Sequence, residues 1–265
     1  TLGAWIKIWP VAILAAQFVA DKVNRWRIAA IAIATSAGIL FFGLIAGGNQ
    51  NLLSFILYQT DRGLQVESPA ASWWVWRALQ NFEDSAIYYD DKLFTYQVSG
   101  PGVAETSSLM TLLMVLAVAI TLVLIWLLAR RGHRMAEILP IASLALALDL
   151  IVFNKVGSPQ FATWLAVPII LGFAAGASEW KRLAVAVLVI TFFTGLVYPG
   201  LYFGVIQSQP TGTVVLFAKN FLLVLLLIWV HSRIIQKITS RPETAGYREF
   251  RVSNANAASR AAASG

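Results

Sequence analysis

Long uncharged runs dominate this chain, and nothing constrains its fold more. A helix needs about 20 residues, at ~1.5 Å of rise each, to cross ~30 Å of hydrocarbon. About seven segments approach that length, at 2–20, 28–47, 107–128, 136–153, 162–176, 183–200 and 213–230. Lipid offers no hydrogen bonds, so such runs must satisfy their backbone internally as helices. The expected fold is an all-α membrane protein with about seven transmembrane helices and one long structured extracytoplasmic loop. Composition points the same way. Hydrophobic residues make up 58% of the 265 and charged residues only 12%, where a soluble domain carries about a quarter charged.

The net charge of +7 would in another chain hint at nucleic acid. Here the cations gather in short connectors between apolar runs, so no nucleic-acid partner is expected. Alternate connectors hold Lys22, Arg25 and Arg27, then Arg130, Arg131 and Arg134, then Lys181 and Arg182, then Arg233, Lys237 and Arg241. Short loops rich in Lys and Arg stay in the cytoplasm. The opposite set carries Arg62, Arg77 and Lys92 across a long loop, then Lys155 alone, then the uncharged 202–212. The expected location is the cytoplasmic membrane, multi-pass, with the long loop and any active face outside. Thr1 starts almost directly in an apolar run with no basic leader. The chain is therefore read as the C-terminal part of a longer protein. There is no cysteine, so disulfides and thiolate metal sites are excluded.

Organisation follows from these runs: two transmembrane helices in 1–47, the outer loop with an interfacial helix in 48–106, five transmembrane helices in 107–237, and a disordered cytoplasmic tail in 238–265. Within the loop, Ser72–Leu79 reads SWWVWRAL, which predicts an aromatic-rich helix at the membrane interface. The segment 88–100 alternates weakly around Asp90 and Asp91, which predicts a short hairpin.

Candidate chemistry lies in the residues that lipid should exclude. A charge at membrane depth costs ~3 kcal/mol or more unless it is paired or hydrated. Lys7 lies just inside the first run, Lys219 roughly 9 Å into the last at ~1.5 Å per residue, Lys155 at the outer end of the fourth, and Arg62 in the loop above. Snorkelling to headgroups accounts for any one lysine near a helix end. All four at one level fit an anion better, with Arg supplying a fork and Lys a point contact to phosphate. Asp149 is expected to serve as a counter-ion for Lys155 or Lys7. Near these cations, YQTDRGLQVES at 58–68 offers Gln65, Glu67 and Ser68, and NKVGSPQF at 154–161 offers Asn154, Ser158 and Gln160 from a tight Gly-Pro turn. These side chains are candidates for holding sugar or acceptor hydroxyls. A solvated loop held by internal ion pairs is the plainer reading of the same strings. His133 and His231 fall in basic connectors with no second ligand in sequence reach, and Glu83, Asp84, Asp90 and Asp91 read more simply as a solvated face than as a hard-cation site. Neither a metal nor a cofactor is expected.

WIKIWP at 5–10, DRGLQVES at 61–68, FNKVGSPQF at 153–161 and AKNFLL at 218–223 resemble, in order, motifs of the C-terminal half of glycosyltransferase family 87. That family belongs to the GT-C superfamily and includes actinobacterial polyprenol-phosphate-mannose-dependent α-mannosyltransferases. The resemblance implies an inverting enzyme of the cell envelope. It would transfer a sugar, mannose by the family pattern, from a polyprenyl-phosphate donor to a lipid-linked or glycan acceptor outside the membrane. The donor phosphate would be held by Lys7, Arg62, Lys155 and Lys219. The family's catalytic base lies in its first outer loop, which would precede Thr1, so this chain alone is expected to be inactive; Glu67 is a weaker candidate for the base. A transporter or flippase of an anionic lipid-linked substrate would use the same cations without a reaction. It should show two related halves with interrupted helices, and no repeat is visible.

Overall fold

The computed structural model describes residues 1–6, 9–48, 62–176 and 179–240. Lys7, Asp61 and the tail from 241 onward lie outside the described residues, so the expectations placed on them stay as they were.

The apolar runs are helices. The chain opens with α1 (Leu2–Ile6) and α2 (Pro10–Ala20). Pro10 starts α2, where its missing N–H costs nothing and its fixed φ is already helical. Asp21 then closes the turn into α3 (Arg25–Ile45), its carboxylate accepting from the backbone N–H groups of Val23 and Asn24 at 3.0 and 2.9 Å. After the loop come α5 (Val103–Arg130), α6 (Met135–Val152), α7 (Ala162–Ala174), α8 (Trp180–Gly195), α9 (Tyr202–Ile206) and α10 (Pro210–Thr239). Gly102, at φ 81°, allows the chain to swing from the loop into α5, a backbone angle that an L side chain would strain.

Among the described residues, five helices are long and apolar enough to cross a membrane: Arg25–Ile45, Val103–Arg130, Met135–Val152, Trp180–Ile206 and Pro210–Thr239. The other two runs are shorter apolar helices, Pro10–Ala20 and Pro159–Ala174. An all-α, membrane-embedded protein is the class this defines.

Helix α6 is the hub. It packs against α2, α5, α7 and α10, and every residue from Ile138 to Asp149 except Leu139 is buried. Ala142, Ala145 and Ala147 let the neighbouring backbones approach closely, the usual route to helix packing where lipid removes the hydrophobic drive. Gly172 serves α7 and α8 in the same way, since a Cβ there would stand 1.9 Å from the buried Trp180 ring. By contrast α3 buries no residue at all and turns side chains such as Ile33 and Phe42 outward, as a lipid-facing helix would.

The loop has a core of its own. Its helix α4 (Ser72–Leu79) and an antiparallel hairpin, β1 (Ala86–Asp90) paired with β2 (Thr95–Ser99), gather Leu64, Val66, Trp74, Val75 and Val98 against Val197, Val205 and Leu216 of the bundle. The helix and the hairpin both fall where the sequence places them. The tryptophans do not all face lipid, however. Trp74 is buried and its indole donates to the Pro101 carbonyl at 3.0 Å, Trp76 packs edge-on against Phe217, and only Trp73 is well exposed. Asp84 is taken by the Arg77 guanidinium at 2.6 and 2.8 Å, which holds its carboxyl below the usual carboxylate range.

Candidate functional site: three strings on one seat

The candidate strings are far apart in sequence, yet they meet where the loop sits on the bundle. Residues 62–68 run under the hairpin, with Gln65 bridged to Gln97 and the Val98 N–H donating to the Leu64 carbonyl. Their other side lies on the 154–161 turn. The Gln65 N–H donates to the Lys155 carbonyl at 2.9 Å. Gly157 presses so closely on the chain at Glu67 that an added Cβ would stand 2.2 Å from the Glu67 carbonyl carbon. The third string comes from α10, about two and a half turns inside its first residue at 3.6 residues per turn. There Lys219 donates from Nζ to the Glu67 carbonyl at 3.1 Å, and Asn220 donates from Nδ2 to the Ser72 hydroxyl at 2.9 Å and the Ser68 carbonyl at 3.4 Å.

Glu67 is 4% exposed and Lys219 6%, so an acid and a base are buried side by side. Around the Glu67 carboxyl stand the Lys219 ammonium, the Tyr202 hydroxyl and the Gln65 amide. Burial raises this carboxyl above the usual range, and these partners offset only part of the rise. A small cavity of about 20 Å³ opens beside the pair, between Glu67, Ser158, Pro159 and Lys219 on one side and Leu165, Ile190 and Leu223 on the other. It has room for about one water.

The candidate residues divide into those spent on the backbone and those with polar capacity left over. Ser68 caps the Pro69–Ala71 turn, its hydroxyl accepting from the Ala71 N–H at 3.2 Å. Asn154 closes the end of α6, donating to the Leu150 carbonyl and accepting from the Val156 N–H. Ser158 starts the turn Pro159–Phe161, and Gln160 is exposed beside it. Arg62 is half-buried, and its backbone carbonyl accepts from the Ser107 hydroxyl at 3.0 Å. Among the described residues, Arg62 Nε, Gln65 Oε1, Glu67 Oε2 and Asn220 Oδ1 are buried with no hydrogen-bond partner. Buried polar atoms are nearly always partnered, so four around one seat need a reason.

Three expectations change. Lys219 is a buried partner of Glu67 and not an open cation at the membrane surface. Asp149 does not serve Lys155: its carboxylate accepts from the Thr121 hydroxyl at 2.6 Å and stands 3.6 Å from the His231 ring. His231 is not in a connector but inside α10, where the helix runs on to Thr239. Asn220 and Tyr202 were missed. Asn220 had a signal, as a second polar residue beside Lys219 in an apolar run; Tyr202 had none, because a tyrosine near a helix end is ordinary.

Set against known proteins, the chain matches no family model, no curated protein and no solved structure.

Proposed function

We propose that this chain is the donor-binding part of a membrane glycosyltransferase that takes a sugar, mannose in the first instance, from a polyprenyl phosphate on the outer side of the cytoplasmic membrane. One observation carries the reading. Three motif strings resembling glycosyltransferase family 87 meet on one seat, and that seat keeps a guanidinium nitrogen and three acceptor oxygens buried without partners. Such a set complements a ligand with both a phosphate and hydroxyls, because guanidinium donors match phosphate oxygens and carboxylate or amide oxygens match sugar hydroxyls.

In this reading seven crossings place the loop outside and the arginine-rich turns inside, with α2 and α7 completing the five longer helices. Arg62 and Lys155 steady the charge that develops on the departing phosphate. Gln65 and Glu67 orient hydroxyls. The seat opens from its closed, water-sized cavity as the loop shifts on the bundle to admit the donor headgroup. Lys219 holds the loop to α10 and keeps Glu67 in place, a positioning role.

The test is sugar transfer by the full natural protein in vesicles supplied with polyprenyl-phosphate mannose. Arg62→Ala combined with Lys155→Ala should reduce transfer by at least about 100-fold, the scale of losing a charge-stabilising contact in a transition state. Protease resistance of the loop checks that the seat is intact. Undiminished transfer by the double variant defeats the phosphate assignment, and no transfer by the unaltered protein defeats the enzyme.

A further inference from the structure

Away from the seat, three polar side chains from three helices meet inside the bundle. Thr121 of α5 has its Oγ1 2.6 Å from Asp149 Oδ2 on α6 and 2.8 Å from His231 Nε2 on α10. The other ring nitrogen, Nδ1, is 2.9 Å from the Leu227 carbonyl. Asp149 is 1% exposed, while the His231 side chain is 21% exposed and so is the open end of the chain. His231 lies about 12 Å from the end of α10 at ~1.5 Å per residue, toward the end that carries Arg233 and Lys237.

Proton counting constrains this chain. Three short links must each contain a hydrogen: carboxylate to hydroxyl, hydroxyl to ring, ring to carbonyl. A carbonyl cannot donate, so the Nδ1 hydrogen belongs to the Leu227 link. Threonine brings one hydrogen and can serve only one of the remaining two. With an ionised carboxylate and a neutral ring, two acceptors would face each other at 2.6 or 2.8 Å. The geometry is satisfied only when one further proton is present, on the carboxyl or on Nε2.

From this geometry we infer that Thr121, Asp149 and His231 form an intramembrane proton-binding site that holds one exchangeable proton. Its two loaded forms interconvert without net loss. When the carboxyl Oδ2 gives its proton to Thr121 Oγ1, the hydroxyl passes its own to His231 Nε2. A neutral acid and neutral ring become a carboxylate and an imidazolium, and every link keeps a hydrogen. Both forms have zero net charge, which suits a site within hydrocarbon depth. Loading and release run through His231, the exposed end. Release leaves one link without its hydrogen and weakens the tie between α5 and the α6–α10 pair. The site is thus a proton-dependent clasp on three helices, independent of the sugar-transfer reading.

The elements packed on α6 are α2, α5, α7 and α10, and α8 also packs on α10. The sequences of α2 and α7 contain no ionisable side chain, and α8 carries Lys181 and Arg182 in its first turn. The acids and bases of α5 are Glu105 and Arg130, one in its first turn and one in its last, with Arg130 stacked over Trp126. On α10, Lys219 faces Glu67, and Arg233 and Lys237 both pair with Glu179. The other acid of α6, Glu137, pairs with His133 and Arg134.

The experiment is ¹⁵N NMR of the histidine rings of the whole chain in lipid nanodiscs, with infrared difference spectra of the carboxyl. His133→Gln assigns the ring signals and Asp149→Asn assigns the carboxyl band. Expected is either a doubly protonated His231 with an ionised Asp149, or a neutral ring with a protonated carboxyl, the two reporters changing at the same pH. A neutral ring beside an ionised carboxylate at neutral pH overturns the proposal. So does Thr121→Val if it leaves the joint titration unchanged, because removing the hydroxyl should make ring and carboxyl titrate separately. The native-chain spectra decide the proton count even where that variant fails to fold.

Discussion

The seat and the bundle each bury a carboxylate, and they neutralise it differently. Glu67 at the seat has the Lys219 ammonium close by, and Lys219 ties the loop to a helix by donating to the Glu67 backbone carbonyl. Asp149 in the bundle faces His231 through the Thr121 hydroxyl. Their surroundings match this division. The seat joins the loop's own core to the bundle. The bundle core is mostly alanine, leucine and isoleucine, with Val152, Phe161, Trp164, Trp180, Val187 and Val230 among them. Lysine and asparagine at the seat anchor a loop to a helix partly through backbone carbonyls, whereas the aspartate, threonine and histidine join three helices through side chains alone.

The comparison breaks most readily at Lys219. Lys219→Met removes the charged hydrogen bond to the Glu67 carbonyl and leaves that carbonyl buried, a change worth about 1.5–3 kcal/mol. Limited proteolysis should then cut within 62–102 at least about 10-fold faster while helix α6 stays protected. If loop and bundle open together, they form one cooperative unit and the contrast fails. Next is Gly157→Ala, whose Cβ must displace the backbone at Glu67. Overpacking against backbone should cost about 1–3 kcal/mol, read as a lower melting temperature of the loop with little change in the bundle. Gly172→Ala is the matching test on the other side: it pushes on the Trp180 ring by a similar amount and should lower bundle stability while sparing the loop. Asn220→Ala removes one good and one long hydrogen bond and should cost about 1–2 kcal/mol, seen as faster amide exchange in α4.

The smallest effect is a slope with pH. The folded state holds the Glu67 proton more tightly than the unfolded chain does, because burial raises this carboxyl. Stability from that proton is complete below the unfolded value near 4.5 and is lost as pH rises through the folded value. The loop should therefore become steadily easier to unfold from acid toward neutral pH. Glu67→Gln should flatten that slope in urea titrations followed by tryptophan fluorescence. A slope unchanged by the substitution would move its origin to another group.

Much of this was readable in one dimension. Run length and the absence of charge place the helices, because lipid punishes every exposed peptide group and every charge. Local pattern likewise places α4 and the hairpin, whose partners are close neighbours in the chain. Lys219 was conspicuous as a charge in an apolar run, and Gly157 as a glycine in a turn. Their meeting on residues 62–72 was not legible, nor was the companionship of Asp149 with His231, a residue that reads as one more polar group near a basic end. Pairing across helices depends on their order, tilt and depth, and the apolar surfaces of α5, α6 and α10 are too alike along the sequence to specify these by pattern alone. The sequence by itself determined that this is a helical membrane protein, and which of its residues lipid would not tolerate. Only the tertiary structure decided which of them share a proton and which share a seat, because both depend on distances of about 3 Å between side chains that packing alone brings together.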